Sequence, residues 1–183
     1  MTKISCEVRG LSQRFQHFYL FREISFSVNS GEIWMIQGKN GAGKSTLLKI
    51  LTGALEPSAG EVVYYQDKIV IAPHLIWRNG SLVAPFQELP EELSLLELIE
   101  FQIKMSNKRL IPENFQKLVS LFEMDAEIQK PLAQYSTGMK QKAKIILAIG
   151  EGRPILFFDE PTSNLDQTSF ERFWNLVSEI KKE

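Results

Sequence analysis

The order of apolar and polar positions along the chain predicts strands in the first half. Apolar and polar residues alternate over residues 4–9 and 23–29, which is the period-two pattern of a half-buried strand. Residues 33–37 form a short apolar run that predicts a third strand. Residues 61–71 are rich in valine and tyrosine and predict a pair of strands. Glycine, asparagine, serine and proline separate these segments and indicate turns between them.

The middle of the chain, from about residue 91 to residue 150, predicts helices instead. Ser94 and Glu97 form a capping box ahead of an apolar-periodic stretch, which predicts a helix start. Pro112 is placed to open a second helix, and Ser136 a third that runs to about residue 149.

The last part of the chain predicts one more strand and one more helix. Residues 155–158 are a continuous apolar run, as expected of a strand buried on both faces of a parallel sheet. The final segment has apolar residues at helical spacing, and Asp166 is a plausible N-cap for it. Together these elements predict an α/β domain with an inserted helical lobe.

Composition and charge narrow the classes of function. The chain has 183 residues and a net charge of −1, which gives no electrostatic case for binding nucleic acid. The one cysteine, Cys6, fits a reducing cytosolic compartment and is interpreted as a packing residue. No signal peptide is recognisable, and no run approaches the roughly 18–20 apolar residues that span a bilayer. We therefore expect a cytoplasmic protein whose membrane part, if its process needs one, comes from a partner.

A glycine-rich loop carries the clearest chemistry. The segment 38–45, GKNGAGKS, fits the phosphate-binding pattern G-x-x-x-x-G-K-[ST] between a predicted strand and a predicted helix. Glycines allow the backbone to wrap a polyphosphate, and the helix N-terminus adds positive potential. We expect Lys44 to neutralise phosphate charge and the Ser45 hydroxyl to bind Mg²⁺. The alternative is an ordinary turn. The residues expected to contact the nucleotide are Gly38, Asn40, Gly41, Ala42, Gly43, Lys44, Ser45 and Thr46.

Two adjacent carboxylates follow the last apolar run. Asp159 and Glu160 are expected at the carboxyl end of a parallel strand, where ligands bind in open α/β sheets. We expect Asp159 to hold Mg²⁺, and Glu160 to orient and deprotonate the attacking water. A capping role for one of the two is the alternative.

The segment 135–141, YSTGMKQ, together with the loop and the acidic pair, resembles the signature of the ABC ATPase family. Ser136 and Gly138 keep the core of that signature, usually written LSGGQ, whereas Tyr135, Thr137 and Met139 differ from it. The resemblance implies a P-loop NTPase (RecA-like) core with an antiparallel β subdomain. Residues 1–90 and 151–183 would form the core with the β subdomain, and residues 91–150 the helical subdomain. It also implies that Ser136 and Gly138 cap the γ-phosphate bound to a facing subunit.

Other positions match the same family in order. Phe15 lies where the family has an aromatic residue that stacks on adenine, although a core aromatic residue is the alternative. Gln87 matches the glutamine that contacts Mg²⁺ and the attacking water, and so joins Lys44 and Glu160 among the implied catalytic residues. Residues 163–166 match the loop that contacts the partner subunit. The family also has a histidine beyond the acidic pair, on a further strand, whereas the only histidines here are His17 and His74.

The resemblance implies a function, with alternatives. The expected protein is the ATP-binding and ATP-hydrolysing subunit of an ABC transporter that pairs with a transmembrane permease subunit and forms a nucleotide-dependent homodimer or heterodimer. It would use ATP and Mg²⁺ and lie on the inner face of the membrane, and its features resemble exporter subunits such as the haem-exporter type. Two explanations for the missing histidine stay open. The chain is cut short, or it is a naturally reduced member of the family. The alternative function is a non-transport ABC-type ATPase or a nucleotide-binding regulatory module with weak hydrolysis.

Overall fold

The computed structural model describes residues 3–106 and 112–180, apart from the side chains of residues 73 and 74. Contacts divide the chain into two compact units, one reaching to Gly80 and one spanning Ser81–Ile180. The strands are β1 (Ile4–Phe15), β2 (Phe18–Val28), β3 (Ala59–Gln66), β4 (Ile69–Ile71), β5 (Gly80–Val83) and β6 (Ile155–Phe158). The α-helices are α1 (Lys44–Leu51), α2 (Leu95–Met105), α3 (Pro112–Leu121), α4 (Thr137–Gly150) and α5 (Gln167–Ile180). Two short 3-10 helices span Pro73–Arg78 and Leu132–Gln134.

An antiparallel sheet organises the first unit. Its strand order is β2-β1-β3-β4, and each neighbouring pair runs antiparallel. The inward side chains of β1 alternate with outward ones from Ile4 to Val8, as a strand with one solvated face requires. The expected strand pair at residues 61–71 is confirmed as the β3–β4 hairpin. The antiparallel sheet implied by the family resemblance is therefore present in residues 4–71.

Buried side chains join this sheet to helix α1. Tyr64 on β3 is 2% exposed, and its hydroxyl donates to the carbonyl of Leu51 at the end of the helix, at 2.5 Å. Burial raises the pKa of this phenol, so it stays a neutral donor. The neighbouring Cys6 is also buried, and burial raises the pKa of its thiol to about 11. The interpretation of Cys6 as a packing residue agrees with this environment.

The prediction of a strand at residues 33–37 is wrong. These residues belong to neither of the two sheets found among the described strands. Their large apolar side chains are exposed, from 39% at Ile36 to 61% at Met35. The apolar run satisfies strand propensity, but a strand forms only with a hydrogen-bonding neighbour, and none of the described strands pairs with this segment.

Helices α2, α3, α4 and α5 all contribute to one apolar core in the second unit. The buried core residues from α2, α3, α4 and the segments between them include Leu95, Phe115, Phe122, Leu132, Ile145 and Ile146. Helix α2 begins with the expected capping box: the Ser94 hydroxyl accepts from the Glu97 N–H at 3.2 Å, and the Glu97 carboxylate accepts from the Ser94 N–H at 2.8 Å. Helix α3 begins at Pro112 and α4 follows Ser136, both as expected.

Strands β5 and β6 form a second, two-stranded sheet. All four residues of β6 are half-buried, so the expected burial on both faces is only partly met in this unit. Helix α5 starts after Asp166, whose carboxylate accepts the Ser169 N–H at 2.8 Å, which confirms the expected N-cap. Within residues 3–106 and 112–180, no helix combines the length and apolar character that crossing a bilayer requires.

Candidate functional site

The glycine-rich loop between residues 38 and 45 has backbone angles that favour glycine. Gly41 has φ +80° and Gly43 has φ +92°, both in the left-handed region. A Cβ added at Gly43 would lie 2.7 Å from two carbon atoms of Leu20 on β2. Gly43 is therefore required both by its backbone angle and by the close approach of the β1–β2 hairpin.

The start of helix α1 is the part of this loop best suited to an anion. Gly43 is the N-cap and has no side chain to accept a hydrogen bond, and the first turn contains no acidic residue. At this end of α1, the Leu47 N–H donates to the Gly43 carbonyl at 2.8 Å, which is the first hydrogen bond of the helix among the described residues. The preceding N–H groups thus remain for an external acceptor, and the helix dipole favours negative charge at this position.

Lys44 adds a full positive charge to the same loop. Its ammonium donates to the carbonyls of Gly38 at 3.0 Å and Lys39 at 3.1 Å. A turn from the Ala42 N–H to the Lys39 carbonyl, at 3.1 Å, closes the loop across its middle. The ammonium is thus held beside the loop backbone, where phosphate oxygens can replace carbonyl oxygens as its acceptors. The glycine-rich backbone of residues 38–43, the uncapped start of α1 and the Lys44 ammonium together suit the binding of a polyphosphate.

Phe15 lies at the tip of the β1–β2 hairpin. It pairs with Phe18 across the hairpin and is 42% exposed. Phe18 and Tyr19 are exposed beside it, at 60% and 41%, and the Arg22 guanidinium stacks 3.8 Å from the Tyr19 ring centroid. The same hairpin places Leu20 against Gly43. An exposed aromatic residue suits a base-stacking role better than the alternative of a core residue.

Gln87 belongs to the second unit and follows β5 in a turn. Its N–H donates to the Ala84 carbonyl at 3.1 Å, and its side-chain Oε1 is buried without a hydrogen-bond partner among the described residues. The Lys144 ammonium of α4 donates to the same Ala84 carbonyl at 3.3 Å. Burial lowers the pKa of Lys144, although nearby Glu88 opposes that effect. An unpartnered buried amide oxygen is a group that a ligand can satisfy.

The acidic pair follows β6 directly. Asp159 is 7% exposed, and its N–H donates to the Val83 carbonyl of β5 at 2.8 Å. Glu160 is exposed and has φ +47°, a left-handed angle that non-glycine residues rarely adopt. The two adjacent carboxylates therefore differ in environment, as a ligand and a base would require.

The signature segment forms the N-terminal end of α4. The Ser136 hydroxyl accepts the Met139 N–H at 3.2 Å and so caps its own helix, while the residue itself is exposed. A Cβ at Gly138 would lie 2.7 Å from the carbonyl oxygen of Asn164, in the loop after the acidic pair. The helix end thus packs against that loop, and only glycine fits at the contact.

Two further residues of α4 bind the loop after the acidic pair. The Gln141 side-chain amide donates to the Pro161 carbonyl at 2.7 Å, and the Lys142 ammonium lies 3.1 Å from an Asp166 carboxylate oxygen. Hydrogen bonds from Ser169 and the Lys142 side chain hold the pKa of Asp166 well below its usual range. Neither Gln141 nor Lys142 was predicted to be a functional residue. Their position on the helix after the signature is the one sequence feature that could have pointed to them.

The expected site residues fall into two groups. The first unit contains Phe15, Gly38, Asn40, Gly41, Ala42, Gly43, Lys44, Ser45 and Thr46. The second unit contains Gln87, Ser136, Gly138, Asp159 and Glu160. Among the described residues there is no cluster of three or more histidine, cysteine or acidic side chains that could bind a metal. The expected Mg²⁺ ligands are one hydroxyl, one amide and one carboxylate, a set suited to a cation that takes its other ligands from phosphates and water.

Comparison with known proteins identifies the class. The ABC transporter family model matches residues 21–163. The arabinose import ATP-binding protein AraG of Pectobacterium atrosepticum is 32% identical over 181 residues, and the alignment covers 95% of this chain and 36% of AraG. ABC transporter A family member 8 of Dictyostelium discoideum is 29% identical over 185 residues, covering 96% of this chain and 22% of that protein. The chain thus spans about a third or less of these relatives.

A solved structure agrees with the family match. The structure of an ATP-binding subunit of an ABC transporter aligns with a TM-score of 0.82 at 27% identity, covering 97% of this chain and 75% of that one. The chain belongs to the ABC transporter family, and its fold is that of the P-loop ATPases. The expected fold class and family are confirmed. The exporter subtype stays a prediction, since AraG is named as an import protein.

Proposed function

We propose that this chain binds ATP through the Gly38–Ser45 loop and hydrolyses it to drive transport through a separate membrane subunit. The uncapped N-terminus of α1 carries the proposal: Gly43 leaves its first N–H groups free of a side-chain acceptor, and Lys44 adds charge beside them. Phe15 is the proposed platform for the adenine ring, because its side chain is exposed at the tip of a hairpin.

We propose that Mg²⁺ accompanies the nucleotide, with the Ser45 hydroxyl, Asp159 and Gln87 as its protein ligands. When bound, the ion neutralises charge on the phosphates. Glu160 is the proposed general base: it would accept a proton from the attacking water while Lys44 stabilises charge on the phosphate oxygens. Its exposed side chain and constrained backbone support this role.

The partners belong to the same proposal. A second ATP-binding domain, from a copy of this chain or a related one, would place its own Ser136 and Gly138 helix end against the γ-phosphate. The exposed Ser136, the glycine at position 138 and the lack of an acidic residue in the first turn of α4 support that use of the helix end. A transmembrane permease subunit would hold the pair at the inner face of the membrane.

ATP binding and phosphate release, measured side by side, test the proposal. Wild-type protein should bind Mg-ATP and release phosphate, and Glu160→Gln should abolish release while it retains binding. Turnover that survives Glu160→Gln would remove Glu160 as the base. Binding without any wild-type turnover, with the permease subunit present, would favour a nucleotide-responsive module over a transport ATPase.

A further inference from the structure

The backbone at Glu160 adopts a conformation that the residue itself does not favour. Its φ of +47° lies in the left-handed region, where the Cβ of a non-glycine residue approaches the following carbonyl. Such a residue persists only when its surroundings fix the backbone, and it occurs most often at functional sites. The groups that fix Glu160 therefore determine the direction of its carboxylate.

Hydrogen bonds fix the chain on both sides of Glu160. On the N-terminal side, the Asp159 N–H donates to the Val83 carbonyl at 2.8 Å. The Glu160 carbonyl itself accepts the Ser163 N–H at 3.1 Å. On the C-terminal side, the Pro161 carbonyl accepts the side-chain amide of Gln141 at 2.7 Å. Of these three hydrogen bonds, the one to Pro161 is donated by a side chain of a different element, helix α4.

Gln141 is buried, with only 6% of its surface exposed, although glutamine is a polar residue. It lies on α4 between Gly138, which packs against the Asn164 carbonyl, and Lys142, which pairs with Asp166. The helix is thus held along the loop from 160 to 166 at three points. Gln141 occupies the point nearest to Glu160, and its 2.7 Å hydrogen bond is shorter than the 3.1 Å contact of Lys142 with Asp166.

We propose that Gln141 is a positioning residue for ATP hydrolysis, whose amide holds the peptide after Glu160 and so directs the Glu160 carboxylate at water. The inference rests on the proposed function, in which Glu160 is the base. Gln141 touches neither nucleotide nor water in this role. Its loss should therefore lower the rate of the chemical step and leave nucleotide binding unchanged, since misplacement of a catalytic group acts on kcat.

Two variants of Gln141 separate positioning from general stability. Gln141→Leu keeps similar size but cannot donate, and it should lower kcat by about 10- to 100-fold with KM for Mg-ATP within about twofold. Gln141→Glu can donate only when its carboxyl is protonated, and burial raises the pKa of such a group. Its kcat relative to wild type should therefore be higher at pH 6 than at pH 8. Gln116→Leu, on the exposed face of α3, is the matched control and should change neither parameter.

The experiment measures steady-state ATPase kinetics of the full chain with its partners, for wild type, both Gln141 variants, Gln116→Leu and Glu160→Gln. If wild type is active and Glu160→Gln is not, a Gln141→Leu variant with wild-type kcat overturns the inference alone. So does a Gln141→Glu variant whose relative kcat is the same at pH 6 and pH 8, which also decides the matter if Gln141→Leu does not fold. If wild type is inactive or Glu160→Gln retains turnover, the proposed function fails instead.

In that case a crystal structure of Gln141→Glu at pH 8 tests whether Gln141 fixes the backbone at Glu160. A Glu160 φ that leaves the left-handed region supports this part of the inference, and an unchanged φ overturns it.

Discussion

The carbonyl oxygen of Asn164 stands 2.7 Å from where a Cβ of Gly138 would lie. This contact joins the first turn of α4 to the loop after the acidic pair, and it leaves no room for any side chain at position 138. The glycine of the signature is thus explained by packing within one chain. The proposed use of the same helix end by a facing subunit would act in addition to this packing.

Gly138→Ala should destabilise the protein, although helix propensity alone favours alanine over glycine by about 1 kcal/mol. Overpacking against a backbone carbonyl costs typically about 1–3 kcal/mol, so the net change should lower the free energy of unfolding. Denaturant unfolding measures the sign. Thr137→Ala, one residue earlier and exposed, is the control and should change stability little. A Gly138→Ala protein more stable than wild type would contradict the close contact.

Gly43→Ala should weaken ATP binding at least about tenfold and also destabilise the fold. The left-handed angle of Gly43 costs an alanine about 1–2 kcal/mol, and the new methyl meets Leu20 in addition. Adding Leu20→Ala to Gly43→Ala should remove the clash but not the backbone cost, apart from the loss of Leu20's own packing. Double-mutant analysis of unfolding and calorimetry with Mg-ATP measure the two parts. Strictly additive effects on stability would show that Leu20 and position 43 do not interact.

Tyr64→Phe should cost about 1–3 kcal/mol in the free energy of unfolding, because it leaves the buried Leu51 carbonyl without its hydrogen bond. Tyr65→Phe is the matched control on the opposite face of β3, where the hydroxyl contacts Arg9 at an exposed position. The control should change stability by less than about 0.5 kcal/mol, as is usual for surface sites. Equal losses in the two variants would argue against the buried bond.

Asp166→Ala should destabilise helix α5 by about 0.5–2 kcal/mol at pH 7, the usual cost of a lost N-cap. Hydrogen bonds from Ser169 and Lys142 lower the pKa of Asp166 in the folded state, so the unfolded state binds more protons in acid. The stabilisation is therefore present above the ordinary carboxyl pKa of about 3.9 and is lost as pH falls towards the folded value. Urea unfolding at pH 7 and pH 3 should show a smaller difference from wild type at pH 3. Glu179→Ala, exposed near the end of α5, is the control.

Local signals in the sequence predicted the parts of the fold that depend on neighbouring residues. The capping box of Ser94 and Glu97 and the N-cap at Asp166 involve groups three residues apart, and both are present. The antiparallel β3–β4 hairpin is equally local. The phosphate-loop motif and the residues after it predicted a helix directly behind the glycine loop, and α1 begins there, at Lys44.

Features that depend on distant residues could not be predicted in the same way. The apolar run at 33–37 has strand propensity, but the chain order does not show which strand would pair with it. From the sequence, Gln141 is interpreted as a polar residue of an amphipathic helix. Only the folded unit shows that its side-chain amide donates a hydrogen bond to the Pro161 carbonyl. Likewise, a glycine at position 43 indicates a turn, whereas the contact with Leu20 appears only once the hairpin is in place.

Isothermal titration calorimetry of Mg-ATP into wild-type protein and Lys44→Ala tests the central claim most directly. The backbone cradle and the lysine ammonium should give wild type a measurable heat of binding, and loss of the charge should weaken affinity at least about tenfold, or about 1.4 kcal/mol. A wild-type protein that gives no heat, or a Lys44→Ala protein with unchanged affinity, would contradict the account.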